Sequence, residues 1–340
     1  MKTTIKTEPV NIMRSIISPE SLIEPIRANY PNISPLNISL LSVADNDNYL
    51  VQAQDQNYVL RIYRHNKHWL SNQESYIFEF QLLNFLHQNG ISVSYPIAGK
   101  DGDYLRTIQA PEGIRYWSLF SFAPGELMRF NPENCYNYGR IISSLHLVTN
   151  SFSTSVPHLN IDTNFLLDKP LERIRNYLGL SRKRDLDNLT KLVQKLKNKI
   201  NNFDQNKHGN KWGVIGGDFH GGNHFCDKHG RITLFDFDLC GYGWRMYDIA
   251  VFKWALFNIC KRAPKLKNRA LLWESFLKGY ESHIPISQEQ ARMISVFVQV
   301  RQIWLMGSET TYQDKILDKG YWDKMFQGLK ISILMDEENA

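Results

Sequence analysis

The stretch VIGGDFHGGNHF, from Val214 to Phe225, gathers Asp218, His220, Asn223 and His224 on a loose backbone. It holds four glycines, too many for a helix interior or a strand. A further carboxylate, Asp236, follows in the short apolar run TLFDFDL. Three readings of the loop compete: a His/Asp metal site, a catalytic loop, or an ordinary polar turn. Zinc on Asp218, His220 and His224 would leave Asn223 and the Asp-Phe-Asp strand without a role. The catalytic reading uses both. A hard cation such as Mg²⁺ takes oxygen ligands and keeps several waters, so two protein ligands plus substrate phosphates suffice. Asn223 and Asp236 supply that pair. Asp218 then stays free to orient or deprotonate a hydroxyl.

Such a loop needs rigid elements on either side. SPESLIEPIRANY carries a helix start, with Ser18 as N-cap, Pro19 in the first turn and Glu20 behind it. Short β-like runs follow near 39–44, 48–54 and 57–63, separated by the turn-forming clusters Asp45–Asn48 and Asp55–Asn57. A helix is expected from about Ser71 to Gln88, with Ile77, Phe80, Leu83 and Leu86 on its apolar side and Gly90 stopping it. Two more strands are expected around 103–109 and 114–122. FAPGELM breaks the strand pattern at Pro124 and Gly125 and marks a boundary. Beyond it the chain is mostly helical. One amphipathic helix has Tyr138, Ile142, Leu145 and Leu147 on one side; another carries Leu186, Leu189, Leu192, Val193, Leu196 and Ile200 as a stripe. Helices near 245–260, 266–282, 287–307 and 314–334 complete the chain. The expected division is residues 1–34 as an N-terminal segment and helix, 35–123 as a small lobe, and 124–340 as a helical lobe.

The blocks GGDFHGGN, LFDFD and GYGWRMYDIA together resemble the aminoglycoside phosphotransferase and choline kinase-like superfamily. The homoserine kinase-like and stress-response kinase branches belong to it. The resemblance covers roughly residues 35 to 310. It implies an α+β, protein kinase-like fold of two lobes: a small one built on an antiparallel sheet, a larger one mainly helical. It implies an ATP-dependent phosphotransferase acting on a small-molecule hydroxyl, with ATP and Mg²⁺ as cofactors. Carried over by position, Asp218 is the catalytic base, and Asn223 and Asp236 hold Mg²⁺ against the phosphates. Arg61 in YVLRIYR contacts the α/β-phosphates, where the family has Lys or Arg. Glu79 pairs with it, Glu74 being the rival. Phe120 lies near the adenine, and the backbones of Ser121 and Ala123 pair with its edge. His220 is structural, and Asp248 braces the loop. Two departures stand out. Gly216 replaces the loop's usual first histidine, which implies a looser loop, and SVADNDN lacks a glycine-rich phosphate cradle. Two alternatives stay open: a nucleotide-binding pseudokinase or regulatory protein, which Gly216 motivates, and a Ser/Thr protein kinase like the stress-response branch.

Bulk properties fit a globular enzyme. The chain has 340 residues, 43% of them hydrophobic, enough for a substantial core. Its net charge of +6 favours anionic partners such as nucleotides and leans against polycationic acceptors such as aminoglycosides. SRKRD, at 181–185, reads as a solvated helix start, so neither nucleic acid nor membrane is expected as a partner. Cys135, Cys226, Cys240 and Cys260 form no Cys-x-x-Cys pair. The start lacks a signal-peptide pattern, and no run approaches the ~18 apolar residues of a membrane span. A cytoplasmic location with reduced thiols is expected.

Overall fold

The computed structural model describes residues 10–54, 56–65, 67–70, 72–204, 211–262, 268–312 and 316–338. Chain contacts divide the protein into two compact units. Unit 1 runs to Lys67 and resumes over Pro96–Phe122. Unit 2 takes His68–Tyr95 and the chain from Ala123 onward.

In unit 1 a 3₁₀ turn, Pro19–Leu22, leads into α1 (Ile23–Asn29). Ser18 bonds the Ser21 hydroxyl rather than a backbone N–H, so it does not cap as expected. Five antiparallel strands follow: β1 (Pro35–Val43), β2 (Asn46–Ala53), β3 (Asn57–Tyr63), β4 (Arg106–Ala110) and β5 (Gly113–Ser121), in spatial order β1-β2-β3-β5-β4. Side chains alternate across a strand. Tyr49 and Val51, Leu60 and Ile62, and Trp117 and Leu119 therefore share one face and pack against Leu22 and Ile26. The turn between β1 and β2 falls where it was expected but is tighter, at Ala44 and Asp45, so that only one residue of the Asp45–Asn48 cluster lies in it. Asn46 already belongs to β2, and Ala44 N–H closes the hairpin on the Asn46 carbonyl. Asp47 is fully buried and accepts from Arg115 at 2.7 Å and from Arg14. A buried ion pair has overridden turn chemistry.

Unit 2 opens with α2 (Gln73–Gln88), capped by Asn72, whose side chain accepts from Ser75 N–H. The expected start at Ser71 lies outside the described residues. Phe80, Leu83 and Leu86 are buried as expected, but Ile77 is exposed; Tyr76, Phe78, Glu79 and Leu82 complete the buried side. The chain continues through β6 (Glu126–Leu127), α3 (Pro132–Val148), β7 (Asn160–Ile161), α4 (Lys169–Leu178) and α5 (Lys183–Asp204). On α3, Tyr138, Ile142 and Leu145 are buried while Leu147 is exposed, so the stripe is narrower than expected. Then come β8 (Trp212–Ile215), β9 (His224–Cys226), β10 (Ile232–Leu234) and β11 (Gly241–Trp244). They form two small sheets, β10-β9-β6 and β7-β11-β8. Helices α6 (Arg245–Arg262), α7 (Arg269–Glu281), α8 (Gln288–Glu309) and α9 (Lys319–Glu338) finish the unit. The last lies a few residues beyond its expected place. No helix among the described residues is long and apolar enough to cross a membrane.

Helices α3 and α7 meet through reciprocal glycines. A β-carbon on Gly139 would overlap the Phe276 carbonyl, and one on Gly279 would overlap the Tyr136 carbonyl. The close approach lets His146 of α3 reach the Tyr280 hydroxyl of α7 at 2.9 Å. In an open helix Gly→Ala would gain about 1 kcal/mol of propensity. At Gly139 the overlap reverses the sign, and Gly139→Ala is expected to lose about 1–3 kcal/mol by overpacking. Urea unfolding of the variant measures this; equal or greater stability would remove the glycine contact as a determinant.

Candidate active site

The loop between β8 and β9 is held from below by one carboxylate. Asp248, in the first turn of α6, is buried and accepts from Gly216 N–H at 2.9 Å and Gly217 N–H at 2.8 Å. His146 Nε2 lies 3.1 Å from the same carboxylate, and His146 Nδ1 lies 2.9 Å from the Tyr280 hydroxyl. A carboxylate that receives two N–H groups can only accept, so Nε2 carries the proton and Nδ1 accepts from Tyr280. Burial lowers the His146 pKa against the opposing pull of Asp248, and burial raises that of Tyr280, which fits a neutral ring and an intact phenol.

The looser loop expected from Gly216 is not what the chain forms. A β-carbon at 216 would overlap the ring of Phe219, which packs edge-on against Phe237 at 5.6 Å. Gly217 sits at φ +77°, where a side chain is strained. The backbone then turns through Asp218, with His220 N–H on the Asp218 carbonyl at 2.8 Å. His220 Nδ1 accepts Gly222 N–H at 2.9 Å, a loop-shaping role.

Unit 2 brings together Asp218 and Asn223. Asn223 is buried and donates Nδ2 to the Asp218 carbonyl at 2.9 Å. Tying the nitrogen fixes which way the amide points and turns its oxygen the other way. Its main chain is also fixed, since Phe235 N–H bonds the Asn223 carbonyl at 3.0 Å, linking the loop to the segment that carries Asp236. Asp236 is half-buried at φ +65°, the one non-glycine at positive φ among the described residues. Such a backbone costs of order 1–3 kcal/mol and persists where surrounding structure enforces it. An amide oxygen and a carboxylate are the hard donors that a divalent cation takes, so Asn223 and Asp236 fit one. The rival zinc set is not assembled. Among the described residues no three His, Cys, Asp or Glu groups cluster to hold a metal, and the buried His224 ring lies flat on Tyr138 at 4.1 Å.

Glu79 is buried and Glu74 exposed, so of the two rivals only Glu79 faces the interior of unit 2. Burial first, then the carboxylates of Glu79 and Asp238, raise the Cys240 thiol well above its ordinary pKa. Glu79 is thus near the segment that follows Asp236. In unit 1, Arg61 is buried rather than solvated, with its guanidinium over the Phe120 ring at 4.8 Å. The register accounts for this: Arg61 opposes Ser118 and Val59 opposes Phe120, making Arg61 and Phe120 diagonal neighbours. Ser121 ends β5 opposite Tyr58, and Ala123 is buried just beyond it.

One residue escaped the sequence reading. Arg301 of α8 forms an ion pair with Asp218 Oδ1. Its signal was present: it is the one charge in the run VFVQVRQIWLMG.

The profile of the phosphotransferase enzyme family (APH) matches residues 38–279. Amicoumacin kinase of Bacillus subtilis is 24% identical over 305 residues, 87% of this chain and 86% of that protein. Two solved structures share the fold. The complex of an amicoumacin kinase with AMP-PNP, Ca²⁺ and Ami has a TM-score of 0.74 at 20% identity, covering 94% of this chain and 93% of the other. A microcompartment-associated aminopropanol kinase has a TM-score of 0.73 at 20% identity, covering 94% and 96%. The protein kinase-like, two-part α+β architecture implied by the motifs is therefore the fold of this chain.

Two neutral histidines set a pH response. Burial lowers His146, and burial pushes His224 down to about 3. On unfolding both regain a value near 6.5 and take up protons the native state refuses. Stability is thus full above that value and falls as pH drops below it, by about 1.4 kcal/mol per unit for His224, with His146 adding to the fall in the same direction. Melting curves from neutral pH to pH ~5 read this, and His224→Phe should flatten the slope. A wild-type midpoint that does not move over this range would overturn the assignment.

Proposed function

We propose that this chain, which belongs to the phosphotransferase enzyme family, transfers the γ-phosphate of ATP to a hydroxyl of a small molecule, an amino alcohol or a hydroxyl-bearing secondary metabolite. The observation that carries the reading is the arrangement of Asp218, Asn223 and Asp236. Asp218 is a quarter exposed, with Oδ1 taken by Arg301 and Oδ2 lacking a short partner: Asn223 Nδ2 stands at 3.4 Å and His220 Nε2 at 3.6 Å. That oxygen can accept the acceptor's hydroxyl proton and aim the attacking oxygen in line with the leaving phosphate. Asn223 and Asp236 would hold Mg²⁺, which when bound neutralises charge on the phosphate oxygens. Arg61, a planar and permanently charged donor, suits the α/β-phosphates. Phe120 offers a ring to the adenine, and Glu79 would steady the nucleotide-binding arrangement. The Ser121 and Ala123 backbones would pair with the adenine edge. The name of one structural relative, aminopropanol kinase, supports a small acceptor that carries both an amine and a hydroxyl, and the name amicoumacin kinase supports a small-molecule acceptor.

The test is ADP release from Mg-ATP with 1-amino-2-propanol, L-homoserine, an aminoglycoside and amicoumacin, with product mass confirming the acceptor. Asp218→Ala is expected to lower turnover by about 10²–10⁴-fold while ATP affinity stays nearly unchanged. Wild-type turnover in this variant would falsify the role of Asp218. Clear ATP binding with no ADP from any acceptor would favour a regulatory, non-catalytic protein. Phosphate incorporated into protein from a cell extract would favour a protein kinase.

A further inference from the structure

We propose that Arg301 is a positioning residue for the phosphoryl transfer: it clamps one oxygen of Asp218 and leaves the other as the working base. This rests on the phosphotransferase reading above. Arg301 projects from α8, and its side chain is only 3% exposed. Its Nη2 binds Asp218 Oδ1, and its guanidinium lies over two indoles, 4.7 Å from the Trp304 ring and 5.3 Å from the Trp254 ring. Flat aromatic faces hold a planar cation by its π-surface and restrict its rotation. The Tyr247 hydroxyl lies alongside and, with Asp218, favours the charged form against burial. The guanidinium is therefore fixed in place and in charge, and Asp218 inherits that fixity.

The consequence for chemistry is an asymmetric carboxylate. A free Asp side chain turns about its terminal torsion and presents either oxygen. Here Oδ1 carries a charge-assisted hydrogen bond, worth about twice a neutral one. Oδ2 has only the two long approaches from Asn223 and His220. A base fixed by one oxygen meets the acceptor hydroxyl in one orientation, so turnover should depend on Arg301 while nucleotide binding should not.

The experiment is steady-state kinetics of Arg301→Ala and Arg301→Lys with whichever panel acceptor the wild type phosphorylates. Arg301→Ala is expected to lose about 10²-fold in kcat, with KM for ATP held. Millimolar guanidinium should restore part of kcat by refilling the space the truncated side chain leaves beside Asp218, and Arg301→Lys should retain an intermediate rate. A merely structural role would not respond to guanidinium. Wild-type kcat in Arg301→Ala, or a loss that guanidinium leaves untouched in a variant that melts like the wild type, would overturn the proposal. A second readout needs no turnover. Millimolar guanidinium should raise the melting temperature of Arg301→Ala, and the rise should vanish in the double variant with Asp218→Asn. No rise in the single variant, or an equal rise in both, sinks the pairing. A wild type inert toward every acceptor sinks only the phosphotransferase reading, because the melting comparison still tests the pair.

Discussion

Two hydrogen bonds from backbone amides to Asp248 carry the greatest weight in the structure. A loop with four glycines has many conformations to lose, and each ordered residue costs about 1–2 kcal/mol of backbone entropy. The Gly216 and Gly217 amides both end on one buried carboxylate, so the loop's entry is fixed in direction as well as in place. A charge-assisted bond in a low-dielectric interior is strong, and an unpaired buried carboxylate would be costly. The dependence runs in both directions. Asp248 needs the loop amides and His146, His146 needs Tyr280, and Tyr280 reaches His146 because α3 and α7 touch at glycines. Helix packing and loop geometry thus form a single unit, although their residues are far apart in sequence.

The electrostatics of unit 2 follow the same economy. Several buried polar groups near the loop are neutral or paired: His146 neutral on Asp248, Arg301 against Asp218, Arg245 on Asn150 at 2.5 Å. Low dielectric makes each pairing strong and each vacancy costly. The functional groups differ from this pattern in a consistent way. Asp218 keeps partial exposure, and Asp236 takes a backbone conformation that ordinary side chains avoid. Places where a chain departs from its own stabilising rules are where function is expected.

Much of this was legible in the residues because the relevant chemistry is local in sequence. Asp218, Asn223 and Asp236 lie within one short block, and the glycine count located the loop, although the strands β8 and β9 on either side of it were not foreseen. The stripe on α5 survives almost whole, since Leu186, Leu189, Val193, Leu196 and Ile200 are all buried. The misreadings share a cause. Asp47 looked like turn polarity because its partner Arg115 is 68 residues away. Arg301 went unnoticed because Asp218 is 83 residues away. Ile77 and Leu147 were assigned inward because periodicity counts apolar residues without knowing which side a neighbour covers. Polar partners distant in the chain leave no periodic trace, so tertiary pairing is what a single sequence hides best.

The fit of Phe219 over Gly216 makes the two positions one packing unit. Any side chain at position 216 would require the Phe219 ring to move, because the β-carbon alone overlaps it. Nor can Phe219 shrink freely while Gly216 stays, because Phe219 also closes on Phe237 and a void would open between the loop and the segment that carries Phe237. The two positions form a coupled pair, and the effects of substituting them do not add. Glycine at 216 is then half of a packing solution whose other half is the phenylalanine, and a substitution at either site carries meaning only when the other is known.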